Sequence, residues 1–193
     1  SRVPMMIAGK GIPAGLVSDP VSNIDVCPTL CDLAGISMEE VAPWTAGETL
    51  VPFANGTKRE TPVRMEYAAE ASYAPMVSLV QGRMKYNRCA LDPDQLFDLA
   101  ADPHELTNLA TDPAHADTLA RFRAEADARW DLDRFDEEVR RSQARRWIVY
   151  EALRNGAYYP WDYQPLQKAS ERFMRNHMDL NVVEENQRFP RGE

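Results

Sequence analysis

Residues 21–35, VSNIDVCPTLCDLAG, form the stretch that decides the fold class, because they predict one helix with recognisable ends. Asp25 suits the N-cap, Pro28 falls in the first turn where its missing N–H donor is harmless, and Gly35 suits the C-terminal stop. The prediction is a helix over residues 25–34. Its shared apolar face, which we expect to be buried, consists of Val26, Leu30, Leu33 and Ala34.

An apolar run, VPMMIA at residues 3–8, precedes this helix and ends near a glycine. Such a run predicts a strand that is buried on both faces inside a large parallel sheet, so a strand followed by a helix indicates an α/β fold. Because no strand precedes it here, we expect its partners to belong to upstream polypeptide. An unpaired apolar edge also disfavours a chain that acts alone as a binding or assembly module.

Cys27 and Cys31 flank Pro-Thr-Leu in a chain that has three cysteines. Structural zinc and redox motifs usually have two residues between their cysteines, whereas this pair has three. Positions i and i+4 share a helix face, so the two thiols are predicted to be small apolar residues beside Leu30 and Ala34. We predict no metal site in this chain.

Residues 62–99 change to short strands: PVRMEYAAE, PMVSLVQG, RMKYNRCA and QLFDLA. Because the Gln81-Gly82 junction separates two of them, it predicts a tight hairpin within an antiparallel sheet of about four strands. Helices are predicted afterwards at DPHELTNL, at DPAHADTLARFRAEADARW and over about residues 133–154.

Composition excludes several classes of partner. A formal net charge of −8 and a sequence pI near 5.0 argue against nucleic acid or an anionic membrane. No apolar run approaches the roughly 18 residues that span a bilayer. An odd number of cysteines fits a reducing compartment, so the sequence predicts a soluble, cytoplasmic protein. The run EEVRRSQARR is interpreted as a helix face of ion pairs.

Several segments resemble, in order, the C-terminal half of a type I sulfatase of the alkaline-phosphatase-like superfamily: RVPMMI, SNIDVCPTLCDLAGI and QLFDLAADPHELTNLA. The resemblance covers residues 1–110. It implies that the formylglycine nucleophile and a divalent metal, calcium, lie upstream and that this chain holds neither. In that family the nucleophile arises from Cys-x-Pro-x-Arg, and Pro28 directly follows Cys27, so Cys27 is not the expected precursor.

Residues 132–193 are similar to the C-terminal extension of choline sulfatases, in the pieces SQARR, ALRNG, PWDYQP and ASERFMRNHMDL. The resemblance then implies a cytoplasmic, oligomeric hydrolase, a tetramer, that cleaves choline-O-sulfate to choline and sulfate. The alternative is a phosphonate monoester hydrolase or arylsulfatase that uses the tail only for assembly. Because the tail is rich in aromatic residues, we expect it to pack on a neighbouring subunit.

These features together predict the C-terminal part of a sulfatase α/β fold, with a small four-stranded antiparallel subdomain, helices and an extended tail. Residues 1–57 would end the large α/β domain. Residues 58–131 would form the small α+β subdomain, and residues 132–193 the helical and extended oligomerisation tail.

Candidate site residues follow from the substrate that the resemblance implies. A trimethylammonium group cannot donate an N–H hydrogen bond, so aromatic faces and carboxylates would bind it. Glu66 could instead form a salt bridge with Arg64 or Arg83, or be exposed, and Asp179 could be a cap or a surface acid. Trp130, like the other tryptophans, is predicted to fill a core or interface rather than an aromatic cage. The candidate set is Glu66, Asp179, His177 and Asn176.

Overall fold

The structure, a computed structural model, describes residues 3–69 and 72–154. The chain divides into two compact units, Ser1–Arg145 and Arg146–Glu193. None of the described helices is long and apolar enough to cross a membrane. The domain boundaries predicted at residues 57 and 131 stay predictions.

Five α-helices and four strands make up the described part. The helices are α1 Val26–Ala34, α2 Met38–Val41, α3 Val51–Ala54, α4 Ala116–Arg129 and α5 Leu132–Arg154. The strands are β1 Val63–Tyr67, β2 Met76–Gln81, β3 Met84–Cys89 and β4 Gln95–Asp98. Short 3-10 helices at Asn23–Asp25 and Pro113–His115 lead into α1 and α4.

The predicted antiparallel sheet of four strands is confirmed, with the order β1-β2-β3-β4. Gln81 pairs with Met84, so the predicted hairpin turns through Gly82 and Arg83. Gly82 has a φ of 55°, a left-handed conformation that glycine adopts without a Cβ clash. The turn residue and the strand alternation therefore act together to set the register of β2 against β3.

Helix α4 packs across one face of the sheet and forms the core with it. Leu79 and Tyr86 of adjacent strands are fully buried against Phe122 and Ala126 of the helix. The rings of Tyr86 and Phe122 stack with their centroids 5.9 Å apart. This packing fixes where α4 ends relative to β1. Ion pairs at the rim join Arg64 to Glu125, Arg88 to Asp127 and Arg123 to Asp94.

Residues 3–8 do not form the strand predicted for them. Val3 is 68% exposed and Met6 is 94% exposed. A strand needs hydrogen bonds to a neighbour, and every pair in the sheet joins strands that lie between residues 63 and 98. Within the part of the chain that the structure describes, this run has no strand to pair with. Its pairing with upstream polypeptide stays a prediction.

Helix α1 has the predicted bounds but a different buried face. Gly35 ends it with a φ of 69°, as expected. Pro28, Thr29 and Cys31 are its buried residues, whereas Leu30 is 61% exposed. The prediction that Val26, Leu30, Leu33 and Ala34 are buried is wrong, because the residues that pack against the rest of the unit lie elsewhere around the helix.

Two local predictions also need correction. Asp25 does not cap α1, because its carboxylate accepts hydrogen bonds from the backbone N–H groups of Ser22 and Glu48 instead. The segment DPHELTNL forms turns and no helix. Glu105 has a φ of 56°, which breaks a right-handed helix, and the Glu105 carboxylate forms an ion pair with Lys85. Tertiary contacts therefore override a helical capping signal there.

Candidate functional site

A cavity of about 270 Å³ lies where β1 begins and α4 ends. We call it the Glu66 cavity, because the one described member of the candidate set lies in its wall. Its polar wall contains Ser22, Arg59, Arg64, Glu66, Arg129 and Trp130. The cavity therefore combines one carboxylate, one indole and three guanidinium groups.

The Glu66 carboxylate is exposed and accepts a hydrogen bond from a tryptophan. The Nε1–H group of Trp130 donates to Oε1 of Glu66 over 2.7 Å. The two salt bridges considered for Glu66 are not the ones formed, because Arg64 pairs with Glu125 at 2.8 Å and Arg83 pairs with Asp98. Glu66 is exposed, which was one of the alternatives, but its carboxylate also has a hydrogen-bond partner that was not considered.

Strand alternation and helix packing explain why Glu66 meets Trp130. Arg64 pairs with Leu79 and Glu66 pairs with Val77, so both point to the face on which α4 lies. Trp130 follows the last turn of α4, where its backbone N–H donates to the Ala126 carbonyl oxygen at 2.9 Å. The indole is thus presented to the end of β1.

Arg59 anchors the opposite wall through a buried ion pair. Its Nη1 lies 2.7 Å from Oδ2 of Asp25, and its Nη2 lies 3.4 Å from Oδ1. The side chains of both residues are almost completely buried. The Asp25 carboxylate also accepts the N–H groups of Ser22 at 2.7 Å and Glu48 at 2.9 Å. Four donors satisfy this carboxylate, so its role is structural.

The remaining arginines differ in how far they are paired. The Nη2 of Arg64 pairs with Glu125, while its Nε is buried without a hydrogen-bond partner among residues 3–69 and 72–154. Arg129 is exposed to solvent at the C-terminal end of α4. A buried N–H group without a protein partner is available to a ligand or a water molecule.

The three cysteines are free thiols that differ in exposure. Cys31 is buried and Cys27 is exposed, so the predicted burial holds only for Cys31. Burial, followed by the neighbouring Cys27, raises the pKa of the Cys31 thiol. A raised pKa reduces the thiolate fraction at neutral pH, which is the opposite of what an activated nucleophile needs.

The described residues do not fit the two groups that the resemblance implies, calcium and formylglycine. Among the residues that the structure describes, no group of three His, Cys, Asp or Glu side chains could hold a metal ion. Cys27 lacks the sequence context of a formylglycine precursor, as noted above. No step of a reaction is therefore assigned to calcium or formylglycine on these residues.

Three of the four candidate site residues, Asp179, His177 and Asn176, lie outside the described residues. The structure therefore describes Glu66 alone from that set. Sequence reasoning missed Trp130 and Arg59 as its neighbours in the cavity. A signal for Trp130 existed in its place as the last residue of the segment predicted to be a helix, DPAHADTLARFRAEADARW.

Two family models match the chain in succession. The model described as N-sulphoglucosamine sulphohydrolase, C-terminal, matches residues 1–129. The model described as Choline sulfatase enzyme C terminal matches residues 137–189. The first match contains the whole sheet and almost all of the wall of the Glu66 cavity.

The chain is 65% identical over 196 residues to the choline-sulfatase of Rhizobium meliloti (strain 1021). That alignment covers 100% of this chain and 38% of the relative, so the chain spans about two fifths of the length of the curated relative that it matches.

Two solved structures are also similar. A 2-O GAG sulfatase is 36% identical over 54% of this chain and 23% of its own, with a TM-score of 0.45. Ps i-CgsB in complex with k-i-k-neocarrahexaose is 22% identical over 70% of this chain and 32% of its own, with a TM-score of 0.53. The second likeness supports the fold.

Proposed function

The chain belongs to the sulfatase family, and from this we propose that it is the C-terminal part of an enzyme that hydrolyses choline-O-sulfate to choline and sulfate. The identity of 65% with a choline-sulfatase extends over the whole chain and supports this substrate. The match of residues 137–189 to the choline sulfatase model supports it independently of the sheet. The upstream part of the enzyme would supply formylglycine and calcium.

The contribution proposed for the described residues is part of the choline pocket. The observation that carries it is the position of Glu66, which lies in the wall of a cavity beside an indole that donates to its carboxylate at 2.7 Å. A quaternary ammonium group is stabilised by carboxylates and aromatic faces, and a cation–π contact contributes about 0.5–2 kcal/mol. Glu66 and Trp130 provide one group of each kind.

The arginines in the cavity wall could neutralise the Glu66 carboxylate, so their own ion pairs decide whether it is available to a cation. Arg59 is matched by Asp25, and Arg64 by Glu125, so neither neutralises Glu66. Arg129 is exposed and forms no ion pair with Glu66 in the described part of the chain. The negative charge of Glu66 is therefore available to a ligand in the cavity.

The role proposed for the tail follows from its composition. We propose that residues 132–193 join subunits into a homo-oligomer, a tetramer, and that Asp179 with His177 and Asn176 completes the choline pocket of a neighbouring subunit. The support is the aromatic-rich sequence and the family match over residues 137–189. Three free cysteines support a reducing compartment, the cytoplasm.

Glu66→Gln in the full-length enzyme tests the choline pocket. Because glutamine keeps the shape and removes the charge, KM for choline-O-sulfate should rise by about 2- to 30-fold, which corresponds to a carboxylate contribution comparable to that of a cation–π contact. KM for p-nitrophenyl sulfate, which has no ammonium group, should stay the same. Steady-state kinetics on both substrates measures the two KM values and shows whether only the value for choline-O-sulfate changes.

A matched control for this experiment is Glu39→Gln, which removes an exposed carboxylate of α2 that does not line the cavity. It should leave both KM values unchanged. Equal changes in both KM values for Glu66→Gln would contradict a role in choline binding.

A second candidate function is that of a sulfatase or phosphonate monoester hydrolase with another substrate. The observation that favours it is the match of residues 1–129 to a model from a sulphohydrolase of a different substrate class. A choline-specific enzyme should prefer choline-O-sulfate to p-nitrophenyl sulfate and to a phosphonate monoester in kcat/KM. The opposite preference would establish the second candidate.

A further inference from the structure

We propose that Trp130 is a positioning residue for Glu66, which it holds in place with a neutral donor so that the carboxylate keeps its charge for the cation. This inference rests on the proposed function and adds a residue that determines substrate preference. It starts from the hydrogen bond between Nε1 of Trp130 and Oε1 of Glu66.

The first step concerns the freedom of Glu66. An exposed glutamate side chain occupies many rotamers, and a ligand that needs one of them must restrict the others. The bond from Trp130 restricts Glu66 before any ligand binds. It occupies one carboxylate oxygen and leaves the second for other contacts, so the site is partly preorganised.

The second step concerns the rigidity of the donor. Trp130 packs against the buried core cluster that includes Phe122 and Ala126 of α4. Its backbone N–H also closes the last turn of the helix on Ala126, which is 1% exposed. The packing of α4 on the sheet therefore sets the position of the indole. The indole in turn sets the position of the Glu66 carboxylate through its hydrogen bond.

The third step concerns charge. Arg64 lies two positions before Glu66 on the same face of β1, so it could bind the same carboxylate. Glu125 of α4 pairs with Arg64 instead, at 2.8 Å. An indole N–H donates without carrying a positive charge, whereas an arginine partner would compete with a ligand cation. Trp130 thus orders the Glu66 side chain, and Glu125 keeps Arg64 from neutralising its charge.

The test is Trp130→Phe in the full-length enzyme, since phenylalanine retains an aromatic ring and removes the N–H donor. Loss of one such hydrogen bond should raise KM for choline-O-sulfate roughly 3- to 10-fold. The kcat for that substrate and both constants for p-nitrophenyl sulfate should stay the same. Trp44→Phe, at an 80% exposed tryptophan that does not line the cavity, is the matched control and should change nothing.

A double-mutant cycle separates this inference from the proposed function. In the Glu66→Gln background, Trp130→Phe should add less than 2-fold, because the charge that it positions is already absent. If Glu66→Gln itself leaves the preference for choline-O-sulfate unchanged, the proposed function fails. If Glu66→Gln acts as expected while Trp130→Phe has no effect, the positioning role alone is overturned.

A purely structural role of Trp130 predicts a different outcome. It would lower Tm and change the constants for both substrates together, and that result would also overturn the inference. Glu125→Gln provides a second, independent variant, because it releases Arg64 toward Glu66. It should raise KM for choline-O-sulfate and leave KM for p-nitrophenyl sulfate unchanged, and an equal change in both would contradict the argument from charge.

Discussion

At the scale of single residues, the ion pair between Asp25 and Arg59 shows how a buried charge can be structural while an exposed one is available for binding. Asp25 is fully buried and satisfied by four donors from three residues. Glu66 is exposed and receives its hydrogen bond from a neutral donor. The extent of burial and the number of hydrogen-bond donors therefore distinguish an acidic residue that stabilises the fold from one that is available to bind a ligand.

We expect Asp25→Asn to destabilise the protein strongly. The substitution removes the closest counter-charge of the buried Arg59 guanidinium group and leaves only the Glu48 carboxylate at 3.5 Å, which should cost up to about 3–5 kcal/mol. Urea denaturation of the full-length enzyme measures the free energy of unfolding. The matched control is Asp19→Asn, because the ion pair of Asp19 with Lys58 is mostly solvent-exposed on the lysine side and should contribute at most about 1 kcal/mol. Equal losses in the two variants would contradict the structural role of Asp25.

At the same scale, sequence reasoning singled out Glu66 as a candidate contact for choline but did not anticipate its hydrogen-bond partner. The partners considered were Arg64 and Arg83, 2 and 17 positions away, whereas the actual donor, Trp130, is 64 positions away. Sequence spacing indicates which nearby residues can meet, but it does not show which residues of a distant helix will pack against a strand. Whether Glu66 contacts choline stays a prediction.

At the scale of elements, the packing of α4 on the sheet decides the geometry of the Glu66 cavity. Phe122 is 1% exposed and stacks on Tyr86, so it fixes the helix across the strands. Because Trp130 ends the same helix, any shift of α4 displaces the donor to Glu66 as well. Stability and substrate preference are therefore coupled through one element.

Phe122→Ala tests this coupling. The cavity that it creates should lower the free energy of unfolding by about 3–5 kcal/mol. It should also raise KM for choline-O-sulfate more than KM for p-nitrophenyl sulfate, at a temperature where the variant is folded. Thermal denaturation and steady-state kinetics measure the two effects. Leu106→Ala, at an 83% exposed position, is the control and should stay within about 0.5 kcal/mol of the parent.

At the scale of the whole molecule, an apolar surface is exposed in the unit Ser1–Arg145. Helix α1 presents Leu30 and Leu33 to solvent, and the preceding run exposes Val3 and Met6. Exposed apolar patches of this kind are uncommon on soluble domains that have no partner. The relative that the chain matches is much longer, with 38% of its length covered. We expect the upstream part of the proposed enzyme to cover this surface.

We therefore expect the chain produced alone to bind the dye ANS more strongly than the full-length enzyme at equal molar concentration. Exposed apolar side chains bind the dye, and burial against upstream polypeptide removes them from water. Fluorescence titration of both proteins measures the difference. Leu30→Ser should reduce dye binding by the chain alone and destabilise the full-length enzyme, and equal fluorescence of the two parent proteins would contradict the prediction.

The sequence by itself determined the bounds of α1, the hairpin at Gly82 and the four antiparallel strands, because the glycine that ends the helix, the turn and the side-chain alternation act over about ten neighbouring residues. It also determined the family, since each segment that resembles sulfatases is a continuous stretch of sequence and the segments occur in the family's order. Only the tertiary structure decided that Trp130 donates to Glu66, that Arg59 neutralises Asp25 and that DPHELTNL is not a helix. Those outcomes depend on contacts between residues far apart along the chain, whose meeting is set by how α4 and the loops pack on the sheet.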